Sequence, residues 1–281
     1  MDLHKVGSTI QHLYQEVFNQ LTFPIPTWSE QQAITTFLDR ETAKIDELVA
    51  EQQRLIELLK EKRQAVISHA VTKGLNPDAP MKDSGVEWLG DVPEHWEIKS
   101  MKHAVILQRG HDLPSDDRIE GNIPIVSSGG ITGYHSEAIT SAPTIVTGRY
   151  GTIGEFLYIE QNCWPLNTSL YAVEMYNNIP KFLWYMLHAY KEHFMLNSLK
   201  AAVPGVDRND VHPVKIGIPS YDEQEEIVIF LDQETAKLDT LTTEAQRAIT
   251  LLQERRTALI SAAVTGKIDV RGLVSDKLAM E

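Results

Sequence analysis

Two glycine-containing loops, residues 127–135 and 147–154, carry the side chains best suited to contacting a partner. Their small residues let a partner approach the backbone closely. The hydroxyl, ring and guanidinium groups that they offer belong to Ser128, Tyr134, His135, Arg149 and Tyr150. Arginine suits guanine edges or phosphates, and hydroxyls suit phosphates. This chemistry predicts contact with a nucleic acid, and tight turns of a β-rich domain with incidental polar side chains are the alternative.

The distribution of charge matters for that prediction, because phosphate binding needs basic surface. The whole chain of 281 residues has a formal net charge of −13. Residues 98–215 hold ten Lys and Arg against eleven Asp and Glu, so the flanking segments carry −12. A near-neutral centre permits a local basic groove. Arg109 and Lys200 are the weaker basic candidates for it.

The sequence contains no motif of catalysis. It lacks GxxxxGK[ST], HExxH and GxSxG, and the glycines at 148, 151 and 154 do not form GxGxxG. It also lacks the Asn-Pro-Pro-aromatic tetrapeptide of amino-methyltransferases. The single Cys163 excludes a multi-cysteine zinc site, and the histidines lack ligand spacing. We therefore expect no enzymatic activity, no metal and no cofactor in this chain.

An internal repeat is the strongest organisational signal. Residues 26–72 align without a gap with residues 219–265, an offset of 193, and 27 of the 47 positions are identical. The matched core includes Phe-Leu-Asp, Glu-Thr-Ala-Lys and Ala-Val-Thr in both copies. Two matched segments that bracket a different block indicate a pair of arms around a central domain.

Each copy is predicted to be one long helix, residues 29–73 and residues 222–266. Neither contains an internal proline or glycine, and each begins after a proline and ends near a glycine. The predicted capping-box pairs are Ser29 with Gln32 and Asp222 with Glu225, and the terminal glycines are Gly74 and Gly266.

Apolar residues recur along both helices with heptad spacing. They are Ile34, Leu38, Ile45, Leu48, Leu55, Leu59 and Val66 in the first copy, and Ile227, Leu231, Leu238, Leu241, Ala248, Leu252 and Leu259 in the second. Because the chain must return past the block between them, we expect the helices to pack antiparallel as a coiled coil. A plain structural coiled coil is the alternative to a functional spacer.

The central block, residues 83–218, has the composition and the predicted elements of an α+β domain. Glycine and proline are frequent, and a helix is predicted at residues 180–199. The predicted strands are residues 103–108, 123–126, 144–147, 156–159 and 170–174. Trp88 and Trp96 are predicted to anchor the start of the block by packing. The fold class we predict is α+β, one mixed domain flanked by two long helices.

No run of about eighteen apolar residues occurs, so we expect no contact with a membrane. The first ten residues lack the basic flank and apolar core of a signal peptide. We therefore expect cytoplasmic residence.

The repeated pattern resembles the helical spacer of type I restriction–modification specificity subunits. It is carried by Pro-x-x-x-Glu-Gln, then Ile-x-x-Phe-Leu-Asp-x-Glu-Thr-Ala-Lys, then Ala-x-Ile-Ser-x-Ala-Val-Thr. Residues 90–96, Gly-Asp-Val-Pro-Glu-His-Trp, and residues 208–219 resemble the borders of the target-recognition domains of that family. The resemblance implies a non-catalytic subunit that reads double-stranded DNA and docks methyltransferase subunits along its helices, with a restriction subunit as a further partner. A structural coiled-coil adaptor with a protein-binding domain is the alternative function.

One departure from the family concerns the number of domains. The family usually carries two recognition domains, whereas this sequence carries one. Residues 1–28 are interpreted as the last strip of a preceding recognition domain and residues 267–281 as a C-terminal tail. The chain is then either a natural half-subunit or the C-terminal half of a longer one. In the first case, pairing with a second copy into a two-fold dimer restores two domains.

Overall fold

The computed structural model describes residues 22, 24–149, 152–192, 195 and 205–273. The chain forms two compact units. The terminal unit consists of residues 1–56 and 243–281, and the central unit of residues 57–242. Most of the predicted strip of a preceding domain, and the last eight residues of the tail, lie outside the described residues.

Two long helices correspond to the repeat. Helix α1 is Trp28–Lys73, with 46 residues, and helix α4 is Tyr221–Val264, with 44 residues. Each begins one residue earlier than its predicted start. A glycine in the left-handed region follows each helix, Gly74 with φ of 76° directly after α1 and Gly266 with φ of 71° two residues after the end of α4.

The predicted capping pairs were wrong, because the caps lie two residues earlier. Thr27 donates from its backbone N–H to Glu30 Oε2 at 2.9 Å, and Glu30 N–H donates to Thr27 Oγ1 at 3.4 Å. Ser220 accepts from the backbone N–H of Glu223 at 3.3 Å. In both copies the residue directly after the proline is therefore the helix cap.

The central unit contains a four-stranded antiparallel sheet of β4 (Ile106–Arg109), β7 (Thr144–Gly148), β8 (Phe156–Ile159) and β10 (Ser169–Glu174). The strands lie in the order β4-β10-β7-β8 across the sheet. Helix α2 (Pro180–Ala189) packs on this sheet, and the short helix α3 (Arg208–Val211) lies beside β4.

Three smaller sheets complete the unit. They are β1 (Met81–Asp83) with β2 (Asp91–Pro93), β3 (Glu97–Ser100) with β11 (Lys215–Ile218), and β5 (Ile123–Ser127) with β6 (Gly130–His135) and β9 (Trp164–Pro165). The β3–β11 pair joins the two ends of the inserted block, because Glu97 lies opposite Ile218.

One large apolar core fills the central unit. It joins the sheet, α2, the end of α1 and the start of α4 through Leu107, Leu170, Phe182, Val71 and Leu231. In the terminal unit, Phe37 packs with Ala263 and Val270, and Ile56 packs with Ala245 and Ile249. Each unit therefore has its own apolar contacts.

The predicted α+β class is confirmed. The predicted strands at residues 123–126, 144–147, 156–159 and 170–174 match β5, β7, β8 and β10 within one residue at each end. Residues 127–135 were predicted to be a loop but largely form β6, because the glycines occupy a tight turn and a bulged strand. Among the described residues, no helix combines the length and apolarity needed to cross a membrane.

Candidate nucleic-acid interface

Two of the predicted basic residues lie at one end of the central sheet. Strand β10 runs antiparallel to both β4 and β7, so the last residues of those strands meet the first residues of β10. Arg109 lies opposite Leu170, and Gly148 lies opposite Ser169. Arg109 and Arg149 therefore flank the start of β10.

Arg149 is held by the loop that precedes β10. Its backbone N–H donates to the carbonyl of Thr168 at 3.0 Å, and its own carbonyl accepts from Val206 N–H at 3.0 Å. Its guanidinium donates to the carbonyl of Asn167 at 3.5 Å. The half-buried stem and fixed backbone position the side chain at the sheet end.

Arg109 lies in a polar depression of about 470 Å³. Its lining also includes His111, Asp112, Asp207 and Arg208. The ring of His111 hydrogen-bonds to the hydroxyl of Tyr171 at 3.1 Å. Donors and acceptors therefore lie side by side in this depression, as readout of base edges requires.

Arg208 is a candidate that the sequence analysis missed. It is the first residue of α3, which Asp207 caps by accepting from Asn209 N–H at 2.9 Å. Within the described part of the chain, neither Arg208 nor Arg109 forms an ion pair with an acidic side chain. The sequence could have pointed to Arg208, because the Asp-x-x-Asp pattern of residues 207–210 predicts a helix start with an exposed positive side chain.

The β5–β6 hairpin approaches the same sheet end. The carbonyl of Ser128 accepts a hydrogen bond from the hydroxyl of Thr152. A Cβ on Gly148 would overlap the hydroxyl oxygen of Thr152 and lie 2.9 Å from its carbonyl oxygen, so the close packing of the hairpin and Thr152 on β7 requires glycine at this position. Tyr134 is exposed farther along β6.

His135 lies inside the domain instead of at its surface. Its side chain is 4% exposed, its Nδ1 accepts from Ile119 N–H at 3.0 Å, and its ring stacks edge-on to Trp164 at 5.1 Å. A buried ring at this position is not available to a bound nucleic acid. Tyr150 and Lys200 lie outside the described residues.

No cluster of three or more His, Cys, Asp or Glu side chains in the described part of the chain is placed to hold a metal ion. Burial raises the pKa of the Cys163 thiol to about 11, so this thiol stays protonated near neutral pH. The polar groups at the sheet end can accept and donate hydrogen bonds and attract phosphate. They define a binding surface.

Comparison with known proteins gives the family of the chain. Residues 1–58 and 93–251 match the type I restriction modification DNA specificity domain. The chain belongs to this family, as the repeated spacer pattern predicted. Membership favours recognition over the alternative of a coiled-coil adaptor.

Individual relatives show the same likeness. The specificity subunit of the type I restriction enzyme EcoBI of Escherichia coli aligns with this chain over a length of 292 residues at 22% identity. The alignment covers 92% of this chain and 61% of that protein. A solved chain of a type I R-M system superposes with a TM-score of 0.72 at 16% identity, covering 88% of this chain and 62% of that one. The S subunit from M. genitalium gives 0.52 at 22% identity, covering 95% and 69%. The chain thus spans about 61% of the EcoBI subunit.

Proposed function

We propose that the chain is a non-catalytic subunit that reads duplex DNA and directs the partner subunits of a type I restriction–modification assembly to a target site. The observation that carries this proposal is the pair Arg109 and Arg149 at the start of β10. Both lie within the matched residues 93–251. Arg208, Ser128 and Tyr134 extend the proposed interface, and Tyr150 and Lys200 remain predicted members of it.

The roles that we propose for the segments of the chain follow from the repeat. Residues 83–218 form the target-recognition domain, and residues 29–73 and 222–266 are spacers that pair as an antiparallel coiled coil. In the terminal unit, Asp46 in the first half of α1 binds Arg256 in the second half of α4 at 2.9 Å. In the central unit, Arg63 in the second half of α1 binds Asp239 in the first half of α4. These contacts support opposite helix directions.

The proposed partners are methyltransferase subunits docked along the helices, with a restriction subunit added to the assembly. With a net charge of −13, the chain alone should bind duplex weakly at physiological salt. The partners would supply basic surface and the methyl-donor site.

The test replaces Arg149 in the complex assembled with its methyltransferase subunits. Arg149→Ala should weaken binding to the target duplex by about 1–3 kcal/mol and relax its specificity, because a guanidinium reads a base edge through two hydrogen bonds. Arg149→Lys keeps the charge and should lose specificity with less loss of affinity. Electrophoretic shifts on target and scrambled duplexes measure both.

Lys215→Ala is the control, because it removes one exposed positive charge from β11, which lies outside the four-stranded sheet and outside the two helices proposed to dock the methyltransferase subunits. If Arg149→Ala weakens binding no more than Lys215→Ala does, residues 147–154 are not part of the interface. An equal loss on all sequences, with a salt slope lower by about one, would make Arg149 a phosphate contact.

We also propose that two copies can pair about a two-fold axis. A two-fold pair presents the same recognition surface twice, so its target is an inverted repeat. Mapping of the methylated bases checks this, and two unrelated half-sites would contradict self-pairing.

A further inference from the structure

Two of the polar side chains that line the depression around Arg109 are already engaged within the domain. The ring of His111 hydrogen-bonds to the hydroxyl of Tyr171 at 3.1 Å. The carboxylate of Asp207 caps α3, because it accepts from the backbone N–H of Asn209 at 2.9 Å. These groups hold the walls of the depression together, so a smaller set remains for a ligand.

Asp112 is the carboxylate of the depression that stays open. One of its oxygens accepts a hydrogen bond from the side-chain amide of Asn167. Within the described part of the chain, its other oxygen accepts none and the carboxylate forms no ion pair. The residue is exposed, and Arg109 and Arg208 line the same depression. A carboxylate with one fixed and one open oxygen offers an acceptor of defined direction.

Asn167 fixes the surroundings of Asp112 through its backbone as well. Its backbone N–H donates to the carbonyl of His111 at 3.0 Å, and its carbonyl accepts from the guanidinium of Arg149 at 3.5 Å. The backbone N–H of His111 in turn donates to the carbonyl of Pro165 at 2.8 Å. A single residue therefore holds both the segment that carries Asp112 and the neighbouring arginine.

The segment from Arg109 to Asp112 packs tightly against the loop that precedes β10. The backbone N–H of Gly110 donates to the carbonyl of Ser169 at 3.0 Å. A Cβ on Gly110 would overlap the carbonyl oxygen of Leu166, so only glycine permits this approach. Arg109 and Asp112 therefore belong to one fixed stretch of backbone at the end of β4.

An open carboxylate beside two arginines restricts the ligand that fits. A carboxylate repels phosphate, so at a duplex surface it is favourable only where it accepts a hydrogen bond from a base. In the major groove that donor is the amino group of cytosine or of adenine. A guanidinium fork needs two neighbouring acceptors, which guanine presents as O6 and N7 and adenine does not. The G·C pair alone offers both partners together.

We propose that this depression reads one G·C base pair in the major groove. Arg109 donates to O6 and N7 of the guanine, Asp112 accepts from the N4 amino group of the cytosine, and Asn167 is a positioning residue that orients Asp112. Arg109 has this role because it shares a stretch of backbone with Asp112, whereas Arg208 lies on α3. The inference rests on the proposed function and names the base pair and the residues that read it.

The test uses the complex assembled with the methyltransferase subunits and the duplex that this complex selects from a randomised library. At each G·C pair of that duplex in turn, guanine is replaced by 7-deazaguanine, which lacks N7. In a second series, cytosine is replaced by N4-methylcytosine, whose methyl group takes the place of the major-groove N–H. At one pair, each replacement should weaken binding by the parent complex about tenfold, as measured by competition binding.

Variants of the two reading residues should separate the two contacts at that pair. Asp112→Ala should no longer respond to N4-methylcytosine but should still respond to 7-deazaguanine, and Arg109→Ala should show the reverse. Asp112→Asn repeats the first test with little risk to folding. Because its amide oxygen accepts from Asn167, its amide N–H faces the cytosine, so it should also bind the unmodified and the methylated duplex equally.

Asn167→Ala tests the positioning role. It should reduce the response to N4-methylcytosine at the same pair and leave discrimination at the other pairs unchanged, whereas a merely structural role would weaken binding to all duplexes equally. Glu160→Ala is the matched control, because it removes an exposed carboxylate that follows β8 at the opposite end of the sheet. It should respond to both replacements as the parent does.

An Asp112→Ala complex that responds to N4-methylcytosine as the parent does would overturn the proposal. So would responses that the two variants lose at different pairs, or an Asp112→Ala complex that binds every duplex more tightly, because the carboxylate would then only repel phosphate. A parent complex that selects no sequence would disprove the proposed function and this inference with it. A selective parent whose selectivity survives in the Asp112 and Arg109 variants would disprove this inference alone.

Discussion

The two copies of the repeat, identical at 27 of 47 positions, begin in different surroundings, α1 in the terminal unit and α4 in the central unit. Leu231 of α4 is fully buried in the core of the central unit, whereas its counterpart Leu38 of α1 is partly buried beside Phe37. Gln224 and Asp232 bind α2, whereas Gln31 and Asp39 have no such neighbour in the described part of the terminal unit. The comparison shows that burial of a helix residue depends on what packs against it, because the residue itself is unchanged.

The largest expected effect is a difference between matched leucines. Leu231→Ala should lower the free energy of unfolding by about 3 kcal/mol, because it leaves a cavity in a closed core. Leu38→Ala should cost about 1 kcal/mol, because its surroundings are partly open. Urea denaturation followed by circular dichroism measures both. Equal costs would mean that the two helix starts are equally covered in solution.

The second prediction concerns how stability depends on pH, and it applies to the central unit alone. Burial lowers the pKa of His188 to about 4. Its ring packs against Phe156 and Trp184, and its carbonyl accepts from Gln64. The described part of the terminal unit contains no histidine.

The direction of the pH effect on stability follows from the pKa of His188 in the folded and in the unfolded chain. The unfolded chain binds a proton at His188 below about pH 6.5, whereas the folded chain does so only near pH 4. The stability that the neutral ring contributes is therefore complete above about pH 6.5 and is lost as the pH falls toward 4. Between pH 7 and 4.5 the parent should lose about 1–3 kcal/mol more than His188→Gln. Parallel pH curves for the two proteins would contradict this.

The fold was largely predictable from the sequence for reasons that are local. Heptad spacing and the absence of internal proline or glycine predicted α1 and α4 within two residues at each end. β-rich runs of residues predicted β5, β7, β8 and β10. The short strands β3 and β11 were missed, because their pairing joins residues far apart in sequence, as in Lys215 with Ser100. Strands β1 and β2 were missed because each has only three residues.

The candidate interface was predictable only in part. Composition singled out Arg149 and Arg109, but only the antiparallel register of β10 brings them to one sheet end. Composition could not distinguish Tyr134, whose side chain is exposed, from the next residue, His135, whose side chain is buried. Arg208 was missed because its nearness to Arg109 depends on the packing of α3 against β4.

The smallest expected effect concerns the caps of the two long helices. Thr27 and Glu30 hydrogen-bond to each other at the start of α1, so Thr27→Ala should lower the free energy of unfolding by about 1 kcal/mol. Ser220 holds only the backbone N–H of Glu223, whose carboxylate binds Trp96, so Ser220→Ala should cost about 0.5 kcal/mol. Thr27→Ala should cost more than Ser220→Ala, because it removes two side-chain hydrogen bonds to Glu30 whereas Ser220→Ala removes one to Glu223. Thermal unfolding of the two variants measures the difference, and equal costs would show that the Glu30 carboxylate does not strengthen the cap of α1.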